Sequence, residues 1–330
     1  MPKLRNILLT GGAGYIGSHV ALSLIDKGHK VTIIDSLVTG NKKIIPKKAN
    51  FVQSDIANIE TLESLILNNK FDALMHFAAF VKVEESIDKS NKYFDNNVRK
   101  SKILFDTCVK NKLNNIIFSS TAAVYGNKSK FPIVEDTVLS PLNPYSRSKL
   151  LAEEYLEKLS KENKANYIIL RYFNVAGADP LLRSGLIAEN PTHLIKVASE
   201  VVVKKRDYIE IFGNDYPTPD GTAVRDYISV SDLADVHVLS LDYLLDNNKS
   251  LIMNCGYGYG YSVKEILNKI NLIIDNPLNI KIGKRRKGDA ISLIADIQKI
   301  KKILKWEPKH NKLDDILKTA IKWEKKILHE

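Results

Sequence analysis

Short apolar runs of strand length recur through the first half of the chain, separated by stretches with helical spacing. Candidate strands lie near 6–10, 30–35, 50–53, 72–77, 115–120 and 166–173. Between the first two, Val20 to Lys27 carries Leu22, Leu24 and Ile25 at helical spacing, and a long helix is expected from Ser90 towards Asn111. Asn143 followed by Pro144 opens another helix, as a cap and a residue suited to the first helical position. Strand alternating with helix in this rhythm predicts an α/β fold built on a doubly wound parallel sheet over residues 1–176. After Gly177 the texture changes to loops rich in Pro, Gly and Asp, with separate helices near 192–205, 262–274 and 313–328. Ser262 with Glu265 forms a capping box at the second of these. A smaller mixed α/β domain is therefore expected over 177–330, with 226–256 returning to the first domain. Repeats and low-complexity tracts are absent from the sequence.

Composition narrows the picture in three ways. At 330 residues and 44% apolar content, the chain can bury one large core, or a main domain and a smaller one. No apolar stretch approaches a membrane span, and the first run is too short for a secretory signal, so no membrane partner is expected. Two cysteines, Cys108 and Cys255, make neither a disulfide framework nor a metal cluster, which suits a reducing cytoplasm and predicts no metal. The net charge of +11 could suggest nucleic acid, but the lysines are scattered, so no nucleic-acid partner is expected. Attraction for small anionic substrates is enough to account for it.

The first candidate chemistry is the turn Thr10-Gly11-Gly12-Ala13-Gly14-Tyr15-Ile16-Gly17. It sits between a strand and a helix and satisfies G-x-G-x-x-G through Gly12, Gly14 and Gly17. Glycines here permit a tight turn and close approach of a pyrophosphate to the helix N-terminus. The next strand ends in Asp35, 18 residues after Gly17, where a carboxylate accepts hydrogen bonds from an adenosine ribose. Strand, turn, helix, strand and acid in that order read as a Rossmann dinucleotide site. Asp35 would repel a 2′-phosphate, which favours NAD over NADP.

The second is Tyr145 and Lys149, four residues apart on one face of the helix that Asn143 opens. With 14 tyrosines and 49 Lys and Arg residues in the chain, the bare spacing carries no weight. Its setting does. A phenol titrates near 10 in water, so a base at neutral pH needs a nearby ammonium and a cationic ring to stabilise its phenolate. The strand Ile116-Ile117-Phe118-Ser119-Ser120-Thr121 ends in three hydroxyls upstream of that helix, at the sheet edge where ligands bind.

Gly-rich turn, hydroxyl at a strand end, then Tyr-x-x-x-Lys resembles the extended short-chain dehydrogenase/reductases. The blocks His76-Phe77-Ala78-Ala79, Asp95-Asn96-Asn97-Val98, Ser119 to Gly126, Arg171-Tyr172-Phe173-Asn174 and Gly213 to Tyr227 resemble the UDP-glucose 4-epimerases more closely. Later pieces, Asn254-Cys255-Gly256 and Arg285-Arg286-Lys287-Gly288-Asp289, follow in that family's order, so the likeness runs from Asn6 to about Trp323.

The resemblance implies an NAD-binding domain over 1–176, a UDP-sugar domain over 177–330, and C4 epimerisation through a 4-keto sugar. Tyr145 would be the base, Lys149 its activator and Thr121 a bridge to the substrate oxygen. By the same resemblance Gly11, Gly14, Tyr15, Ile16, Gly17, Asp35, Ser36, Asp55, Ile56, Phe77, Ala78, Ala79, Asn97, Ser119 and Phe173 would join Tyr145 and Lys149 around NAD. Asn174, His193, Leu194, Ile211, Phe212, Arg225, Arg286 and Asp289 would join Thr121 around a UDP-hexose. A homodimer through helices near 90–111 and 144–162 is also implied.

The sequence departs from that family's pattern in places. Val81 stands where some members carry a lysine that contacts a cofactor phosphate, and Lys82 follows it. Thr121 replaces a common serine and keeps the hydroxyl. Leu293 is intermediate in size at a position tied to N-acetylated sugars, which leaves UDP-N-acetylhexosamines open. A nucleotide-sugar 4,6-dehydratase is disfavoured because Ala122-Ala123-Val124, without a carboxylate, follows Thr121. A silent NAD sensor is disfavoured by the intact Thr121, Tyr145 and Lys149 set.

Overall fold

The computed structural model describes residues 3–128, 130–286 and 289–329. Lys287 and Gly288 of the Arg285–Asp289 block lie outside the described residues. Seven strands form the central sheet: β1 (Asn6–Thr10), β2 (Lys30–Asp35), β3 (Asn50–Gln53), β4 (Ala73–His76), β5 (Asn115–Thr121), β6 (Asn166–Tyr172) and, far downstream, β11 (Leu251–Cys255). Their spatial order is β11-β6-β5-β4-β1-β2-β3, parallel throughout. The order reverses between β1 and β4, and the crevice beyond the strand C-termini at such a switch is where ligands sit.

Both faces of the sheet are covered, which is why its strands read as continuous apolar runs rather than alternating ones. One face packs on α1 (Tyr15–Asp26) and α8 (Val230–Asn247), burying Val20, Leu24, Leu233 and Val236. The other packs on α2 (Ile59–Asn69), α5 (Lys100–Lys110) and α6 (Pro144–Lys161), burying Leu62, Leu104, Phe105, Ala152 and Leu156. Cys108 and Cys255 are buried on opposite faces as free thiols.

The helix expected from Ser90 is interrupted. A short α3 (Val83–Asp88) precedes α4 (Ser90–Phe94), and a π-helical turn over Asp95–Arg99 joins α4 to α5. One extra residue in that turn shifts which side chains face inward.

The C-terminal domain is built from small sheets and four helices. β7 (Asn174–Ala176) pairs with β10 (Tyr227–Ser229), and β8 (Ile209–Phe212) with β13 (Ile280–Gly283). β9 (Val224–Arg225) lies between β12 (Tyr261–Ser262) and β14 (Ser292–Leu293). The helices are α7 (Leu194–Val202), α9 (Val263–Asn271), α10 (Gln298–Leu304) and α11 (Leu313–Leu328). The Ser262 and Glu265 capping box is formed at α9. Among the described residues no helix is long and apolar enough to cross a membrane.

Candidate active site

The glycine turn between β1 and α1 is shaped by contacts that no side chain could survive. Gly11 has φ +73°, and a Cβ there would lie 2.4 Å from the backbone nitrogen of Ala78. A Cβ on Gly17 would lie 2.4 Å from the Gly11 carbonyl oxygen. The turn is thus pressed against the loop after β4, leaving its outer surface bare. Gly14 precedes α1 without a side-chain cap, and the first turn of α1 holds no acidic residue. Its amide donors and dipole are free to meet an anion.

Asp35, at the end of β2, accepts from the amides of Ala13 at 3.0 Å and Leu37 at 2.8 Å. Burial raises its carboxyl above the ordinary value, and these two amides pull it back. Gly11, Gly14, Asp35, Ser36, Asp55, Ile56, Phe77, Ala78 and Ala79 line one cleft of about 250 Å³. A diphosphate fits the bare glycine turn and a ribose fits Asp35, so these residues suit a dinucleotide. Ile16 lies in the first turn of α1, whereas the Tyr15 hydroxyl donates to the Gly177 carbonyl at 2.6 Å.

Asn97 is anchored by protein groups. It is buried, with its side chain accepting from the Phe80 amide at 2.9 Å and donating to the Phe80 carbonyl at 3.0 Å and Ser148 at 3.1 Å. Its neighbour Asn96 lines the cleft. Both asparagines lie in the π-helical turn Asp95–Arg99.

Sequence reading also missed Lys92 and Lys100, which line the same cleft. Lys100 Nζ lies 2.5 Å from Asp55, and Lys92 Nζ lies 2.8 Å from Glu85 and 4.1 Å from the centre of the Phe80 ring. Val81 is exposed, and Lys82 donates to the Glu189 carbonyl at 2.8 Å. Cationic charge on this wall therefore comes from α4 and α5 rather than from the loop carrying Val81.

The reactive cluster sits where β5 ends and α6 begins. The Asn143 side chain accepts from the Ser146 amide at 2.9 Å, Ser146 reciprocates, and Pro144 fills the first helical position. That cap fixes Tyr145 in the first turn, with Lys149 one turn on. Thr121 is the last residue of β5, and its hydroxyl favours the charged form of the Tyr145 phenol. Lys149 is buried, donates to the Ser119 carbonyl at 2.7 Å, and lies 4.9 Å from the centre of the Phe118 ring. Burial pushes the Tyr145 phenol up, opposed by Thr121, and pushes Lys149 down to about 7, opposed by Glu153. Phe173 is buried beside this cluster with Ala122, Tyr125 and Leu150, and Leu293 packs against the same group.

The C-terminal domain contributes cations. Arg225 on β9 donates to the Val224 carbonyl at 2.8 Å, and among the described residues no carboxylate lies within ion-pair distance of it. Burial pushes its guanidinium down from the ordinary value, with Asp289 opposing. Arg286 lies 4.4 Å from the centre of the Phe212 ring, 3.2 Å from Asp289 and 3.6 Å from Glu84 of the first domain. Ile211 is buried in β8 beside Phe212. Asn174 on β7 and His193, the residue before α7, are exposed, and Leu194 opens α7 half-buried. A half-buried guanidinium without a counter-ion is suited to receive an anion.

The sequence profile of the NAD dependent epimerase/dehydratase family matches residues 7–256. The chain belongs to that family. A UDP-glucose 4-epimerase of Azospirillum brasilense is 44% identical over 321 residues, covering 97% of this chain and 92% of the relative. Among solved structures of the family, a UDP-glucose-4-epimerase from Stenotrophomonas maltophila, with bound NAD and formylated UDP-arabinopyranose, superposes with a TM-score of 0.95. It is 35% identical, covering 98% of this chain and 99% of that one. A UDP-Glc/GlcNAc 4-epimerase from Campylobacter jejuni is 41% identical, with a TM-score of 0.85 over 98% of this chain and 99% of its own.

Proposed function

We propose that this chain interconverts UDP-glucose and UDP-galactose at C4 through a transient 4-keto sugar. The observation that carries this reading is the meeting of Thr121, Tyr145 and Lys149 at the end of β5, beside the dinucleotide cleft. NAD⁺, when bound, supplies reversible hydride acceptance at the sugar C4. The glycine turn, the first turn of α1 and Asp35 would hold that cofactor, with Ile56, Phe77, Ala78, Ala79 and Asn96 lining the cleft and Asn97 beside them.

Tyr145, as phenolate, takes the proton of the C4 hydroxyl and later returns it. Thr121 donates to the oxygen that carries charge, and Lys149 stabilises the phenolate. Both sugar faces must be presented in turn, so binding must come from a part of the substrate that does not react. Arg225 and Arg286, with Ile211, Phe212, Asn174, His193, Leu194 and Asp289 around them, hold the UDP moiety while the hexose turns. The enzyme works in the cytoplasm as a homodimer.

Incubating purified protein with UDP-galactose and no added NAD tests the reading, with UDP-glucose as the expected product. A second reading, a UDP-N-acetylglucosamine 4-epimerase, draws on Leu293. This residue is registered against Arg225 on the neighbouring strand and is intermediate in size. Turnover of UDP-N-acetylgalactosamine without turnover of UDP-galactose would replace the first reading with the second.

A further inference from the structure

The reaction proposed above needs Lys149 as an ammonium, yet burial drives that group towards its neutral amine. Among the described residues its one hydrogen-bond partner is a neutral carbonyl, that of Ser119. Some fixed negative charge must hold it. Groups facing Lys149 come from four elements. His76 on β4 is buried and neutral, bonded to Thr10 at 2.6 Å and to Ser101 at 2.9 Å. Phe118 and Ser119 on β5 offer a ring face and a carbonyl. On β6, Tyr172 has a phenol pushed well above its ordinary value by burial, and Arg171 is a cation. On α6 itself, Tyr145 lies one turn before Lys149 and Glu153 one turn after. The carboxylate in this set is Glu153.

Glu153 is 0% exposed and is held from two strands. Arg171 donates to it through Nη2 at 2.7 Å and Nε at 3.2 Å, and the Ser120 hydroxyl donates to the same carboxylate. Arg171 is fixed in turn by the Tyr125 phenol at 3.0 Å and the Glu135 carbonyl at 3.1 Å. Tyr145, Lys149 and Glu153 therefore form one line along the buried face of α6. Arg171 closes its far end.

Resting on the epimerase reading, we propose that Glu153, clamped by Arg171 and Ser120, is the counter-charge of Lys149 and a positioning residue for the Tyr145–Lys149 pair. It touches neither sugar nor cofactor. Its field opposes the desolvation of Lys149, and so preserves the cation that makes the phenol acidic. A carboxylate that only bridged β6 to α6 would leave the titration of the pair unchanged.

The test compares wild type, Glu153→Gln, and the double variant Glu153→Gln/Arg171→Met. The double variant removes both ends of the buried pair, so no unpaired guanidinium is left to unfold the protein. Two readouts are taken on NAD-loaded protein: the pH profile of kcat with UDP-galactose, and the phenolate absorbance that Tyr145→Phe abolishes. Loss of an opposite charge one helical turn away lowers an ammonium pKa, so the alkaline limb of kcat should move down by about one pH unit. The Tyr145 phenolate should form at correspondingly higher pH, with KM unchanged. The double variant should move both readouts in the same direction. Superposition of both profiles on wild type in either folded variant would overturn the proposal. Wild type that fails to turn over UDP-galactose would overturn the epimerase reading, and the absorbance titration would still decide the role of Glu153.

Discussion

The Nζ of Lys149 donates to the Ser119 carbonyl at 2.7 Å, joining the start of α6 to the end of β5. Beside it the Thr121 hydroxyl accepts from the Ala123 amide at 3.2 Å and keeps its own proton to donate. Strand end and helix start are thereby locked at the point where a sugar hydroxyl would have to arrive.

Thr121→Val should remove that donor while keeping shape. General acid–base groups contribute about 10²–10⁴-fold, and a supporting hydroxyl should fall at the lower end, in kcat more than in KM. Thr121→Ser should retain most activity. Steady-state kinetics on the two variants decide the matter, and equal activity in Val and Ser would remove Thr121 from the mechanism.

Tyr145→Phe should lose about 10²–10⁴-fold in kcat with bound NAD retained. Cofactor content is read from the absorbance of denatured protein, turnover from the sugar product. Normal turnover in this variant would shift the base elsewhere.

Gly11→Ala should lose cofactor before it loses fold. The left-handed backbone at φ +73° costs a side chain of order 1–3 kcal/mol, and the added Cβ meets the Ala78 backbone. NAD content after purification and the thermal midpoint together check this. Full cofactor with an unchanged midpoint would contradict the close packing of the turn.

Arg225→Leu should weaken binding of UDP and UDP-sugars while leaving NAD content untouched. Loss of a buried charged hydrogen bond to phosphate costs roughly 2–5 kcal/mol. Titration calorimetry with UDP measures it directly, and undiminished affinity would place the diphosphate elsewhere.

Three of the four buried histidines set an acid limit on stability. Burial pushes His19 down to about 4, His76 to about 3 and His237 to about 4. Unfolded, each would protonate near 6.5, so below that pH the unfolded chain binds more protons than the folded one. Stability is therefore fully present above about pH 6.5 and falls as pH drops towards the folded values, by about 1.4 kcal/mol per pH unit for each histidine. Urea unfolding across this range measures the slope. His19→Gln should flatten it by one histidine's share, and an unaltered slope would show that His19 is not held neutral.

Much of this was legible because the informative features are local. The glycine turn, Asp35 and the Tyr145–Lys149 spacing each lie within one strand-turn-helix unit, where chain order dictates geometry. Asn96, which lines the cleft, was not singled out because a π-helical turn has no signature in hydrophobic periodicity. Glu153 escaped notice because a glutamate among lysines on a helix reads as solvated surface. Only its place one turn beyond Lys149 could have drawn attention to it. Lys92 and Lys100 were hidden for a similar reason, since their partners Glu85 and Asp55 come from other segments.

The seventh strand of the sheet has a consequence for synthesis. β11 is made after much of the sugar-binding half, yet it pairs with β6 along Leu251–Cys255 and caps the open edge of the cofactor half. A nascent chain released or cleaved near residue 176 would leave β6 with an unpaired ladder, a ready template for sticking to other chains. The cofactor half therefore cannot mature as an independent N-terminal product, and cutting the gene at the apparent boundary should yield insoluble protein.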